Sequence, residues 1–475
     1  MKKRIQITAA VFFILIAVCV AAFCVNRFYV LERMSEVQTS TQTTVQTMTA
    51  PTTDETTEKP TKRKPTTKKQ TTTTERETEA QTVIDIDNLT IIDLFPLSLA
   101  GGDWDVKHCQ GIAIDRKNGY VYYSYTTILV KCDFESNIIG TVTGFTGHLG
   151  DIAFNKKDGK LYCGYYSDKK KGLYTVIFNV DKITKKNMKA TDKSIVRTVH
   201  IEEAWKDCKA DLNNDGKITA ADHRFGCTGI DGVAFGPSFS DPSKKNLLTI
   251  GYCISDNPKR KDNDYQVLLQ YDVTDWWKTY AKPYTGKDHR SGPEKCGGKY
   301  FVYTGNTTYG VQTISYFDEM NLWLLNCYYG TKPGYENFSL FAVDGDVKPQ
   351  VQLIKGQPET TLGYVLSLYQ DGEYDKKHGV YGWHTTAGQK GMAYVGDGLF
   401  YIVKPYQSWF GTKTAICYLN VWDPENGNPF SLAAGVGTNF SISKKKRRET
   451  TTKQKSIKEL LPEGEKYINE LISLF

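Results

Sequence analysis

From about residue 90 the chain is written in short apolar runs, rich in Tyr, Val, Ile, Phe and Leu and punctuated by Gly, Asp and Asn. In many of these runs apolar and polar positions alternate with period two, the pattern of a strand with one face buried. No long helical period precedes residue 455. The pattern predicts an all-β domain, and the question becomes how so many short strands are arranged.

Internal repeats answer it. Five runs are versions of one another: QGIAID from 110, GDIAFN from 150, DGVAFG from 231, QTISYF from 312 and KGMAYV from 390. Each opens on a polar residue or glycine, continues with an aliphatic one, then places a small residue before a large apolar one. The small residues are Ala113, Ala153, Ala234, Ser315 and Ala393. A small side chain flanked by large ones suits a strand that crowds its equivalents around an axis. Three more strands follow each run: YVYYSYTT, ILVKCDFE and IIGTVTGF in the first unit; KLYCGYY, LYTVIFNVD and SIVRTVHI in the second; NLLTIGYCI, YQVLLQYDV and KYFVYTG in the third; NLWLLNCYYG, NFSLFAVD and QVQLIKG in the fourth; GLFYIVKPY, AICYLNVWD and PFSLAA in the fifth. Five units of four antiparallel strands predict a five-bladed β-propeller over residues 90–435. The earlier strand TIIDLFPLSLA, at 90–100, is expected to pair with the last blade and close the ring.

The small residue recurs after 40, 81, 81 and 78 residues. A degenerate blade in each long gap would give six to eight blades. Insertions at 202–227, 278–298 and 357–386 account for the gaps within a five-bladed ring. Through the repeated GIAI, DIAF and GVAF segments the chain resembles the broad group of secreted β-propellers, which implies the fold and no particular activity.

The first insertion, between blades two and three, holds DLNNDGKITAAD at 211–222. Oxygen-bearing Asp211, Asn213, Asp215, Thr219 and Asp222, the carbonyl of Lys217 and a turn-permitting Gly216 follow the spacing that wraps a calcium ion. Ile218 is expected to point inward as an apolar anchor. With Asp at the twelfth place the loop resembles that of a dockerin. That resemblance covers these residues alone and implies calcium binding, with cohesin docking as a weaker implication because dockerins carry two such loops. A structural clip is the reading the single loop favours. Cys208 and Cys227 bracket the loop, either stapled to each other or as two unrelated thiols. The remaining cysteines form no CxxC pair and no zinc pattern.

The termini set the setting. Residues 1–6 are basic and Ile7–Val25 is uncharged over a length that crosses a bilayer. An uncleaved anchor is expected, with Lys2, Lys3 and Arg4 holding the N-terminus in the cytoplasm and the folded domain outside. Cleavage near Ala21–Ala22 would instead give a secreted chain. Residues 26–85 form a linker whose stretch 39–82 holds 19 threonines, a composition that cannot bury enough surface to order itself. Residues 436–475 are a basic linker with KKKRR at 444–448 and a short amphipathic tail. The formal net charge of +7 owes much to these flanks, so nucleic-acid binding is not expected.

Propeller sites gather where the innermost strands begin. Aligned on the small residue, those positions carry His108, Gln110, His148, Asp151, Asp231, Gln312 and Lys390, with His384 just before the last unit. Three of the seven histidines fall in this set, a clustering suited to ligand binding or acid–base work. The alternative is that these groups only satisfy backbone and channel water. Asp151 and Asp231 are too few for the carboxylate sets of five-bladed glycosidases, and they lack the Glu and Asn partners with which gluconolactonase-like propellers hold calcium. Thirty tyrosines and eight tryptophans, among them Trp276, Trp277, Trp383 and Trp409, favour stacking on sugar rings, although strands use such residues anyway. The expected function is recognition of glycan or cell-wall material by a tethered extracellular domain. Hydrolysis at the axial channel is the alternative.

Overall fold

The five repeated runs become the five innermost strands: Cys109–Asp115, His148–Asn155, Cys227–Gly236, Thr308–Phe317 and Met392–Gly396. Their small residues occupy one register position. Ala113, Ala153 and Ala393 lie opposite Tyr122, Tyr162 and Tyr401, while Ala234 faces Thr249 and Ser315 faces Leu324. The three tyrosines are wholly buried. A larger residue on the inner strand would leave no room for the ring across from it.

The computed structural model describes residues 95–167, 172–219, 221–357, 361–407, 413–424 and 427–433. The basic start, apolar segment, Thr-rich linker and basic tail expected at 1–6, 7–25, 26–85 and 436–475 lie outside the described residues, as does Ala220. Among the described residues no helix is long and apolar enough to cross a membrane.

Each inner strand begins an antiparallel sheet, and the five sheets form a five-bladed propeller. Five apolar clusters separate neighbouring blades. One lies between blades one and two, around Leu129, Val142 and Phe178. Others lie between two and three (Ile177, Val233), three and four (Val302, Trp323) and four and five (Phe317, Phe400). The last joins blade five back to blade one through Tyr123, Val130, Tyr401 and Cys417. The ring therefore closes on itself by packing. It also closes by hydrogen bonding, because Ser98–Trp104 pairs antiparallel with Lys413–Trp422 of blade five. The expected closing strand is present over Ser98–Trp104, and the first part of the expected run, residues 90–94, lies outside the described residues.

The outer edges depart from the simple four-strand unit. Met188–Lys189, from the second unit, pairs parallel with Ile138–Thr143 of blade one. Lys282–Pro283, from the third unit, pairs with Val196–His200 of blade two. Leu362–Leu366 pairs parallel with Gly298–Tyr303 of blade three and carries Gln350–Leu353 beside it. QVQLIKG, expected as the outer strand of blade four, thus belongs to the sheet of blade three. Blade four keeps three paired strands, and its edge meets the segment 368–383 through bridges from Leu340 to Trp383 and Val343 to Leu368. Each long connection lays a short strand on the preceding blade. That arrangement covers sheet edges that would otherwise offer unpaired backbone to other chains.

Candidate functional site at the axial mouth

In four inner strands the register slips just before the small residue: between Cys109 and Gly111, Leu149 and Ile152, Ile230 and Val233, and Val311 and Thr313. A bulge re-aims the residue it frees. The residues lying within these slips include Gln110, Asp151, Asp231 and Gln312, four of the predicted site residues. The alternating pattern of a strand is broken where the chain meets the axis.

Asp151 turns inward. It is 1 % exposed, and its Oδ2 accepts the backbone N–H groups of Val233 at 3.2 Å and Ile314 at 3.0 Å. One carboxyl group of blade two therefore ties blades three and four across the axis. Its Oδ1 is buried without a hydrogen-bond partner among the described residues. A methyl group on Gly111 would lie 2.6 Å from that oxygen, so blade one needs glycine here. Burial pushes the Asp151 pKa well above the carboxylate range, against the pull of the backbone N–H groups.

The mouth is built around Lys390, which the segment between blades four and five delivers. Gln389 donates to the Cys327 carbonyl at 2.8 Å, and Thr313 donates to the Gly388 carbonyl at 2.8 Å. Lys390 Nζ lies 3.0 Å from His108 Nε2 and donates to the Tyr328 hydroxyl. His108 Nδ1 sits 2.9 Å from the Cys109 carbonyl. A carbonyl only accepts, so Nδ1 carries the proton and Nε2 is the acceptor for Lys390. Burial, then the nearby Lys390 charge, holds the His108 pKa below its ordinary value. Burial brings the Lys390 pKa down to about 8, although Cys109 and Asp231 pull the other way.

Asp231 faces the same mouth from blade three. Its Oδ1 is 3.6 Å from His148 Nε2. The His148 ring stacks on Tyr166 with centroids 4.7 Å apart and planes 5° from parallel. A methyl group on Gly150 would meet Asp231 Oδ1 at 2.3 Å, so blade two yields space to the blade-three carboxylate. Gln312 donates to the Tyr309 carbonyl at 3.2 Å. Tyr309 holds a left-handed backbone (φ 63°) and is 55 % exposed, with its ring 6.1 Å from that of Tyr328. A non-glycine residue in this region costs on the order of 1 kcal/mol or more.

Five blades thus contribute to one cluster of a cation, a carboxylate, imidazoles and tyrosines. Gln110 is half a step removed, its amide 3.3 Å from Thr126 Oγ1 in its own blade. His384 stands apart: it stacks on Tyr329 at 5.8 Å and lies 4.0 Å from Glu373. Inner-strand alignment missed Tyr166, Tyr309 and Tyr328. Two of them were within reach of register reasoning, since Tyr166 pairs with His148 and Tyr328 with Thr308.

The loop 211–222 sits beyond a helix, Glu202–Cys208, that packs on blade three. Asp207 Oδ2 accepts the Tyr252 hydroxyl at 3.0 Å and Lys299 Nζ at 2.5 Å, and Lys299 also reaches Glu203 at 2.9 Å. Burial opposes the Lys299 charge, but Asp207 and Glu203 outweigh it and raise its pKa. Within the loop, Gly216 N–H bonds Asp211 Oδ2, Asp215 N–H bonds Asn213 Oδ1 and Lys217 N–H bonds Asp215 Oδ1. Thr219 donates its N–H and hydroxyl to Asp222 Oδ2, which lowers the Asp222 pKa. Asp211 Oδ1 is buried and unpartnered among the described residues, and the all-oxygen donor set fits a hard cation such as calcium. Ile218 departs from expectation: it is 51 % exposed, and among the described residues no second helix follows the loop to receive it. A single 3₁₀ turn, Arg224–Gly226, leads directly into the inner strand. Cys208 and Cys227 are both buried thiols, in hydrogen-bonding contact with each other.

No family model matches the chain, and no curated protein matches it. Among solved structures it is similar to the Dos1 propeller, at 11 % identity over 68 % of this chain and 69 % of that one, with a TM-score of 0.29. It is similar to a chain of the mitotic checkpoint complex, at 10 % identity over 65 % of this chain and 74 % of that one, TM-score 0.29. Hydrazine synthase from Kuenenia stuttgartiensis matches at 9 % identity over 69 % of this chain and 70 % of that one, TM-score 0.26.

Proposed function

We propose that the chain is a membrane-tethered extracellular propeller that recognises glycan or cell-wall material at its axial mouth. Tyr309 carries this reading. It is an exposed ring on a left-handed backbone, its carbonyl held by Gln312 and its ring against Tyr328, which accepts from Lys390. Backbone strain held in place by its surroundings concentrates at functional sites. A sugar offers an apolar face for such a ring and a rim of hydroxyls for the polar groups. Lys390 donates to ring or hydroxyl oxygens, Asp231 accepts from hydroxyls, and the Tyr166–His148 stack holds the imidazole in place. The uncharged Ile7–Val25 and the Thr-rich 39–82 support a tether with reach.

Calcium belongs to the same reading as a clip. Asp211, Asn213, Asp215, the Lys217 carbonyl, Thr219 and Asp222 would hold it, and its charge would offset the clustered oxygens. The Lys299–Asp207 pair then connects that insertion to blade three, whose inner strand carries Asp231.

Hydrolysis is the second reading, favoured by the His148–Asp231 pair. Asp151, the other axial carboxylate, is committed to two backbone donors. A glycan array probed with the full-length chain tests the choice. Binding to at least one glycan class is expected, weakened about tenfold (about 1.4 kcal/mol) by Tyr309→Ala, with no turnover on glycans or esters. Turnover that His148→Ala and Asp231→Asn abolish would favour the hydrolase instead.

A further inference from the structure

We infer that the binding site continues past the mouth, over blade four, as a track of rings that takes an unbranched oligosaccharide longer than a disaccharide. This rests on the glycan reading and extends it. The track runs from Tyr309 to Tyr329 and His384. All three are open to solvent, Tyr309 at 55 %, Tyr329 at 39 % and the His384 side chain at 37 %. They are among the few large rings that the described surface leaves exposed.

Their placement is continuous with the mouth. Tyr309 packs edge-on to Tyr328, the residue that accepts from Lys390. Thr308 Oγ1 donates to the Tyr329 carbonyl at 2.7 Å, which sets the backbone of Tyr329 beside that of Tyr309. The Tyr329 and His384 rings lie nearly parallel, 22° apart and offset at 5.8 Å. Glu373, 4.0 Å from His384 Nε2, supplies a carboxylate at the far end.

The rings are also held. His384 is followed by Thr385, whose N–H bonds Ser339 Oγ at 3.0 Å, and its own ring leans on Phe338 at 4.9 Å. Surface aromatics fixed this way lose little freedom on binding, so their contact area converts to affinity with a small ordering cost. Flat rings in succession, bordered by Lys390 at one end and Glu373 at the other, match a ligand that presents repeated apolar faces and hydroxyl edges. An oligosaccharide does so along its length. The sequence set His384 beside the mouth candidates as a residue just before the last unit, and the track gives it a separate role.

The test is a length series. Titration calorimetry on the full-length chain uses unbranched β-linked N-acetylglucosamine and β-linked glucose oligomers, from disaccharide to hexasaccharide. In at least one series affinity is expected to rise about tenfold with length. Tyr329→Ala and His384→Ala should flatten that rise while leaving disaccharide affinity unchanged, and Tyr329→Phe should restore it. Tyr309→Ala should weaken every length. A flat series in which the disaccharide still binds overturns the track and leaves the mouth standing. A rise that survives Tyr329→Ala also overturns the track. Absence of binding at every length in both series overturns the track and the glycan reading together.

Discussion

Replacing Asp151 probes how the axis is held. Its Oδ2 accepts from Val233 and Ile314, so one side chain joins three blades. Asp151→Ala leaves two buried N–H groups without an acceptor. At about 1–3 kcal/mol for each stranded donor, the loss is roughly 2–6 kcal/mol, reduced by no longer burying a carboxyl group. Asp151→Asn keeps an oxygen in the Oδ2 position and is expected to fall within about 1 kcal/mol of the wild type near pH 4. The two variants also separate with pH. The folded-state pKa of Asp151 is raised by burial, whereas the unfolded value is about 3.9. The folded protein therefore holds a proton that the unfolded chain releases, and this stability is lost as pH rises above about 4 towards the folded pKa. The asparagine variant has no such proton, so its stability relative to the wild type should climb from pH 4 to pH 8. Urea unfolding followed by tryptophan fluorescence measures this, since Trp323 and Trp383 are buried. With a slope of about 3 kcal/mol per molar urea, a 3 kcal/mol loss moves the midpoint by about 1 M. An unchanged midpoint in Asp151→Ala, or equal losses for Ala and Asn at every pH, would refute the tie.

Three further outcomes follow from the site and its supports. Asp207→Ala strands Lys299 with Glu203 as its remaining partner, so a loss of about 2–3 kcal/mol is expected, below the about 3–5 typical of a wholly buried pair. Hydrogen exchange should localise the loosening to residues 202–227. Lys390, with its pKa down at about 8, should be acylated at pH 8 faster than exposed lysines, with a titration midpoint that reports that pKa. Its folded value lies below its unfolded one, so the contribution to stability is present above about pH 10.4 and lost as pH falls through about 8. Chelation of calcium with EDTA should lower the melting temperature of the wild type and leave Asp211→Ala unaffected; an unchanged wild-type melting temperature contradicts the clip.

The ring of five was legible because its physics repeats. Every inner strand carries a small residue at the same register position, and Ala113, Ala153 and Ala393 set it against Tyr122, Tyr162 and Tyr401. The outer edges were not legible, because Gln350–Leu353 joins blade three only through Leu362–Leu366, which pairs parallel with the sequence-distant Gly298–Tyr303. No local pattern records such a choice. At the mouth, alignment found His148, Asp231 and Gln312 on the inner strands, and His108 and Lys390 just before theirs. It also gathered Asp151, whose position one residue further along turns it into the axis instead of towards solvent. Tyr309 was hidden for a different reason: its left-handed backbone is a property of the bulged turn before Gln312, and tyrosine is a poor signal for it.

The most direct test of the mouth as the binding site is protection of Lys390. The full-length chain is acylated at pH 8 with and without a saturating glycan, and each lysine is quantified by mass spectrometry. The account predicts that glycan slows acylation of Lys390 at least tenfold while exposed lysines such as Lys206 and Lys244 react as before. Bound glycan with unchanged Lys390 acylation would contradict it.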